Sequence, residues 1–224
     1  YHMGGVIFFD RNMENQHQVT QFIGNLQKQA DEKVPLFLAV DEEGGDVVRM
    51  KGDLQAPPAQ KEIGQNGKTQ MAKHWAVTTA VSLKSMGFNI DFAPVADVGS
   101  NDRRSYSRNP SEVTAFVRAA ASGYEQEKIL YSLKHFPGIG KGKIDSHVDA
   151  YRVPADKETL HREDLLPFQT LISEKDPNNF FVLVSHLTYP ALDETYPASL
   201  SKKIVTGVLR NEMGYKGLII TDDT

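Results

Sequence analysis

The sequence predicts an α/β fold, a (β/α)8 barrel of the TIM type that is incomplete at both ends in this chain. Three observations carry that prediction. Six short apolar runs are bounded by turn residues, amphipathic stretches separate them, and polar or charged residues follow the carboxyl ends of most of the runs.

The runs fall at 4–9, 34–40, 88–96, 129–136, 179–187 and 217–222, and their Val, Ile, Leu and Phe content suits strands buried on both faces. After the first run, Val19, Phe22, Ile23, Leu26 and Ala30 recur at helical spacing and are expected on one buried face. A second helix is expected from Ser111 as N-cap, with Val113, Phe116, Val117, Ala120 and Tyr124 facing inward. Helices near 68–86, 157–174 and 199–213 complete the alternation. The Pro57-Pro58 stretch and the glycine- and lysine-rich 138–146 stretch read as loops, so residues 1–224 are expected to form a single domain. Both ends lie close to strand-like runs, so the chain reads as a fragment lacking the first and last strands. Residues 1–224 alone are therefore expected to be poorly active.

Periodicity does not choose between a closed barrel and an open doubly wound sheet, but the glycines do. A nucleotide-binding sheet carries a glycine-rich turn after its first strand, whereas here Gly4-Gly5 precede that strand and Asp10-Arg11-Asn12 follow it. Asp10-Arg11, Asp41-Glu42-Glu43, Asp97, Lys134-His135, His186 and Asp222-Asp223 all stand where a barrel carries its active site.

Composition narrows the partners. With 25 basic and 29 acidic residues the net charge is −4, which gives no electrostatic reason to expect nucleic acid or an acidic membrane. There is no cysteine, so disulfides and thiolate chemistry are excluded while either redox compartment remains compatible; localisation stays open. No run of 18 or more apolar residues is present, and no membrane span is expected.

Three constellations carry chemistry. The last strand leaves Asp222 and Asp223 at the barrel mouth, where a carboxylate serves either as a glycosidase nucleophile or simply as a helix cap. Lys134 and His135 end a strand and can donate hydrogen bonds to sugar hydroxyls, and a loop leads from them to Asp145-Ser146-His147. In that Asp-x-His spacing a carboxylate can orient an imidazole that acts as general acid, or the two form an ordinary solvated pair. A metal site from His135, Asp145 and His147 matches no strong ligand spacing, so no metal and no cofactor is expected. The segment from Asp41 to Arg49 places a carboxylate and a guanidinium on either side of a two-glycine turn.

Taken together, Asp41-x-Glu43-Gly44-Gly45 with Arg49, Asp91-Phe92-Ala93-Pro94-Val95-Ala96-Asp97, Arg104-Ser105-Tyr106, Lys134-His135-Phe136-Pro137-Gly138 with Asp145-Ser146-His147, Asp164-Leu165-Leu166-Pro167-Phe168 and the 214–223 ending resemble the glycoside hydrolase family 3 β-N-acetylglucosaminidases of bacterial cell-wall recycling and turnover. The match runs in order over essentially the whole chain. The resemblance implies a family 3 N-terminal barrel domain, with Asp222 as nucleophile, His147 as acid/base held by Asp145, and Asp41, Arg49, Arg104, Lys134 and His135 holding the N-acetylglucosamine ring. It also implies small carbohydrate substrates, namely N-acetylglucosamine glycosides and muropeptides. The chain departs from the family where the loop's usual second histidine is Ile139, followed by Lys141 and Lys143. Those lysines either favour a carboxylate-bearing leaving group or are simply solvated. Rival readings are a phosphorylase, in which phosphate replaces water as acceptor, a β-glucosidase, a carbohydrate-binding barrel without turnover, and a nicotinamide oxidoreductase.

Overall fold

A computed structural model describes residues 3–30, 34–50, 55–99, 103–145 and 150–223. Six parallel strands form one sheet in chain order: β1 (Gly5–Phe8), β2 (Phe37–Val40), β3 (Ile90–Asp91), β4 (Leu130–Phe136), β7 (Phe180–Val184) and β10 (Leu218–Thr221). Each strand of this sheet pairs in parallel with the next one along the chain, so every connection is a crossover.

The sheet curls. Its strands alternate residues between two faces, so Ala39, Ile90, Phe92, Phe181 and Leu183 gather on the concave side while Leu38, Val40, Leu133, Val182 and Val184 join the larger core under the helices. Strands β2 and β7 are separated by β3 and β4, which in a flat sheet places them about 14 Å apart. Yet the Phe37 and Phe181 rings lie only 5.6 Å apart, centroid to centroid. The sheet is thus a parallel half-barrel, and β1 and β10 each have a single partner among the described residues.

Helices α1 (Gln16–Gln29), α3 (Thr69–Met86) and α4 (Pro110–Glu127) cover the convex side. Gly123 lets α3 and α4 approach, because a Cβ there would sit 2.7 Å from the Lys73 carbonyl oxygen and 2.8 Å from Ala76 Cβ. Helix α4 buries Val113, Phe116, Val117, Ala120 and Tyr124 as expected, but its N-cap is Asn109 rather than Ser111. Asn109 Oδ1 accepts from the Ser111 and Glu112 amides, and Pro110 occupies the first helical position, where no donor is needed. On α1, Val19 and Ile23 are buried, whereas Phe22 is exposed and touches Phe8 edge-on.

Three other expectations change. The 157–174 helix is divided into α5 (Lys157–Thr159), a wide turn over Leu160–Asp164 and α6 (Leu166–Glu174). Pro167 has no amide to donate backwards, and the turn before it is wound with an i→i−5 bond from Leu165 N to Leu160 O at 2.8 Å. The 199–213 helix begins as a tight turn, Ala198–Leu200, and continues as a π-wound segment, Lys203–Glu212. A short helix, α2 (Gln60–Gln65), and a small second sheet were not legible from periodicity. That sheet joins β5 (Lys143–Asp145), β6 (Ala150–Arg152), β8 (Thr188–Tyr189) and β9 (Asp193–Pro197). Its strands are inserted after the carboxyl ends of β4 and β7, so the expected 138–146 loop holds β5 and the expected 179–187 strand stops at Val184.

Candidate active site

Along the concave face of the sheet, from the amino ends of its strands at Gly5 and Phe37 to their carboxyl ends, lies an open cavity of about 720 Å³. Asp41, Arg49, Arg104, Lys134, His135 and Asp222 all line it, so six of the eight residues singled out from sequence share one cavity. Asp145 is the last residue of β5, with its side chain outside the described residues, and His147 lies outside them altogether.

The wall is a chain of alternating charges. Lys134, near the end of β4 and almost fully buried, donates to Asp41 Oδ1 at 2.8 Å and meets Glu43 Oε1 at 2.6 Å. Burial by itself disfavours an ammonium, but Glu43 and Asp41 outweigh it and raise the pKa of Lys134 above its usual value. Glu43 is gripped from the other side by a two-pronged guanidinium: Arg104 Nε donates to Oε2 and Nη2 to Oε1, both at 2.8 Å. Burial pushes the Glu43 carboxyl up, yet Lys134 and Arg104 more than offset this and hold it at about 2.

The chain continues to histidine. Arg104 Nη2 lies 3.1 Å from His135 Nε2, and His135 Nδ1 lies 2.8 Å from Asp97 Oδ2. A guanidinium has only donors, so Nε2 accepts and the ring proton sits on Nδ1, donated to Asp97. Asp97 Oδ1 also accepts the backbone amides of His135 at 3.1 Å and Ile139 at 2.9 Å. One carboxylate therefore orients both the pocket histidine and the start of the loop that leads to β5.

Behind this wall the neighbouring carboxyl behaves differently. Glu42 Oε2 accepts the amides of Arg49 at 2.8 Å and Met50 at 3.0 Å, which shapes the turn carrying Arg49. Gly44 and Gly45 make the turn possible, with φ of 91° and 59° and with no room for a Cβ beside Pro57 and Ala59. Among the described residues Glu42 Oε1 has no hydrogen-bond partner, and burial, only partly offset by those two amides, raises its pKa to about 7. Arg49 itself reaches Asp10 Oδ1 at 3.3 Å and lies 5.7 Å from the Phe9 ring centre.

Asp222 and Asp223 form the cavity rim after β10, and the Asp222 amide donates to Val184 O at 3.1 Å. Lys141 does not line the cavity. Its ammonium is held by Asp164 Oδ2 at 2.6 Å and Glu163 Oε2 at 3.1 Å, so Lys141 is neither simply solvated nor a free charge beside a leaving group; the Lys143 side chain lies outside the described residues. Sequence reasoning assigned no role to Glu43 or Asp97, although both stand in the strand-end positions it had picked out. No group of three or more His, Asp or Glu suited to a metal ion occurs among the described residues, and no helix among them is long and apolar enough to cross a membrane.

A curved parallel half-barrel sheet that collects carboxylates, three cations (Arg49, Arg104 and Lys134) and an oriented histidine toward its carboxyl ends defines a mixed α/β domain with a polar site. The chain belongs to the family described as the glycosyl hydrolase family 3 N terminal domain, whose model matches residues 1–224. It is 34% identical to β-hexosaminidase A of Pseudoalteromonas piscicida over 99% of this chain and 41% of that protein. It is 32% identical to the β-hexosaminidase of Nitrosomonas eutropha over 99% of this chain and 65% of that one. Among solved structures, a glycoside hydrolase family 3 β-N-acetylglucosaminidase from Paenibacillus sp. superposes with a TM-score of 0.91 at 33% identity, covering 99% of this chain and 43% of that one. Native NagZ from Neisseria gonorrhoeae gives a TM-score of 0.89 at 30% identity, covering 99% and 66%. The chain thus spans between two fifths and two thirds of the length of these relatives.

Proposed function

We propose that the protein is a retaining β-N-acetylglucosaminidase that removes terminal β-linked N-acetylglucosamine, with muropeptide-derived saccharides as its substrates, and that its six parallel strands belong to an eight-stranded barrel within which residues 1–224 form a single domain. The observation that carries this reading is the convergence of Asp222 with Asp41, Arg49, Arg104, Lys134 and His135 on one cavity. Two of the three N–H donors of Lys134 are taken by carboxylates, which leaves the third for a sugar hydroxyl. Arg104 and His135 are locked in the same way and meet a ligand without first losing side-chain freedom.

In the first step the Asp222 carboxylate attacks the anomeric carbon as the bond to the leaving oxygen breaks, and His147, held by Asp145, gives that oxygen its proton. In the second step His147 takes a proton from water, the water oxygen attacks the anomeric carbon, and Asp222 leaves as a carboxylate.

The test is hydrolysis of an aryl β-N-acetylglucosaminide and the matching β-glucoside by the full-length protein, with and without phosphate. Selective, phosphate-independent release that is lost in Asp222→Asn and His147→Ala is the expected result. Acceleration by phosphate with release of a sugar phosphate would make the protein a phosphorylase, and binding without turnover would make it a carbohydrate-binding barrel.

A further inference from the structure

We infer that His186 is a positioning residue that fixes the backbone of the Asp222-Asp223 segment and thereby aims the Asp222 carboxylate into the cavity. This rests on the reading of Asp222 as nucleophile.

Strand β10 ends at Thr221, and its last ladder bond is the one from Asp222 N to Val184 O at 3.1 Å. Beyond that bond β7 no longer guides the chain, yet a nucleophile has to be held within a few tenths of an ångström. His186, two residues past the end of β7, supplies the missing restraint. Its Nε2 lies 3.1 Å from Asp222 O and 3.1 Å from Asp223 O. Both are carbonyl oxygens and only accept, so the proton resides on Nε2 and is shared between them. Nδ1 is left as the acceptor, and Ser199 Oγ stands 2.7 Å away to donate to it.

Ser199 is itself anchored. Its amide donates to Ser185 O at 3.1 Å, and the preceding Ala198 amide donates to Leu187 O at 2.9 Å. The hydroxyl therefore comes from a turn stitched to both sides of His186, and it sets the imidazole tautomer and ring angle that the two carbonyls need. The imidazole touches main-chain oxygens and not a carboxylate, so its influence on chemistry passes through the backbone of Asp222.

The experiment uses full-length protein with His186→Ala, His186→Gln and Ser199→Ala, each assayed on an aryl β-N-acetylglucosaminide and titrated with free N-acetylglucosamine. A misplacement on the ångström scale costs roughly 10–100-fold in the chemical step, so kcat of His186→Ala should fall by about that factor while N-acetylglucosamine binding changes less than about twofold. Gln carries an N–H donor close to the Nε2 position and should restore kcat to within several-fold of wild type, with Ser199→Ala intermediate. Unchanged kcat in His186→Ala, an equal loss of binding and turnover, or a Gln variant no better than Ala would overturn the assignment. Asp222→Asn, measured alongside, separates the two claims. If it retains turnover, the nucleophile reading fails whatever His186 does; if it abolishes turnover while His186→Ala is unaffected, only the positioning role fails.

Discussion

Replacing Glu43 by glutamine keeps the shape of the side chain and removes the charge that buried Lys134 and half-buried Arg104 share. The Glu43 carboxyl is held at about 2 against an ordinary value of 4.5. A displacement of that size corresponds to about 3 kcal/mol of stabilisation at neutral pH. The folded-state pKa is depressed, so the contribution is present in full above about pH 4.5 and is lost as pH falls toward about 2. Glu43→Gln should therefore unfold about 6–12 °C lower than wild type at pH 7, and the gap should close on acidification. Thermal and urea unfolding across a pH series, followed by the fluorescence of the single tryptophan, Trp75 on α3, read the two quantities. Because Lys134 and Glu43 are each only 2% exposed, added salt should leave the gap almost unchanged. A variant within about 0.5 kcal/mol of wild type at pH 7, or a gap that persists undiminished to pH 2, would refute the reasoning.

Glu42→Gln should act in the opposite sense. The folded-state pKa is raised to about 7, so wild type loses stability as pH rises from about 4.5 through 7, and the variant should be the more stable by about 1–3 kcal/mol at pH 8 and equal near pH 4. Asp97→Asn puts an amide donor against His135 Nδ1 and disturbs the tautomer that Arg104 requires; KM should rise about 10–100-fold, and an unchanged KM in steady-state kinetics would count against the histidine's place in the pocket. Lys141→Ala leaves Asp164, fully buried and already raised by burial to about 6, without its cation. Chemical denaturation should reveal a loss of roughly 1–3 kcal/mol above pH 6 that shrinks below it, with no change in preference between charged and neutral leaving groups.

The parallel sheet was legible because its strands read as unbroken apolar runs, buried throughout in β3 and β7 and nearly so in β4 though open on the edge strands β1 and β10, and the pocket because its polar residues end or follow those runs. Asp41 and Asp222 follow a strand and Lys134 and His135 stand near the end of one, which marked them as candidates, while their expected roles came from the family resemblance. Glu43 and Asp97 stood in the same positions, but their importance comes from partners 61 and 38 residues away, which spacing along the chain does not encode. The small second sheet was missed for a related reason. Strands of two to five residues, several of them polar, leave no run long enough for a period to register. The Asn109 cap was misread in favour of Ser111 because both are capping residues, and Pro110 decides between them by occupying the first helical position.

Glu42 and Glu43 make the same point about energetics and lead to a last test. They are adjacent and chemically identical, yet one titrates near 7 and the other near 2. Both border a small cavity of about 20 Å³, but Glu43 is held between Lys134 and Arg104, whereas among the described residues the hydrogen bonds to the Glu42 carboxyl come from the Arg49 and Met50 amides. Their contributions to stability therefore run in opposite directions: one grows between about pH 2 and 4.5, and the other is lost between about 4.5 and 7. The Glu42→Gln, Glu43→Gln double variant should consequently lose less stability at pH 7 than Glu43→Gln alone, by about 1–3 kcal/mol if the two act independently, and its stability should vary less with pH than that of either parent. A double variant as unstable at pH 7 as Glu43→Gln would mean that Glu42 carries no burial penalty, and that a buried water or an ionised partner compensates the oxygen that has no hydrogen-bond partner.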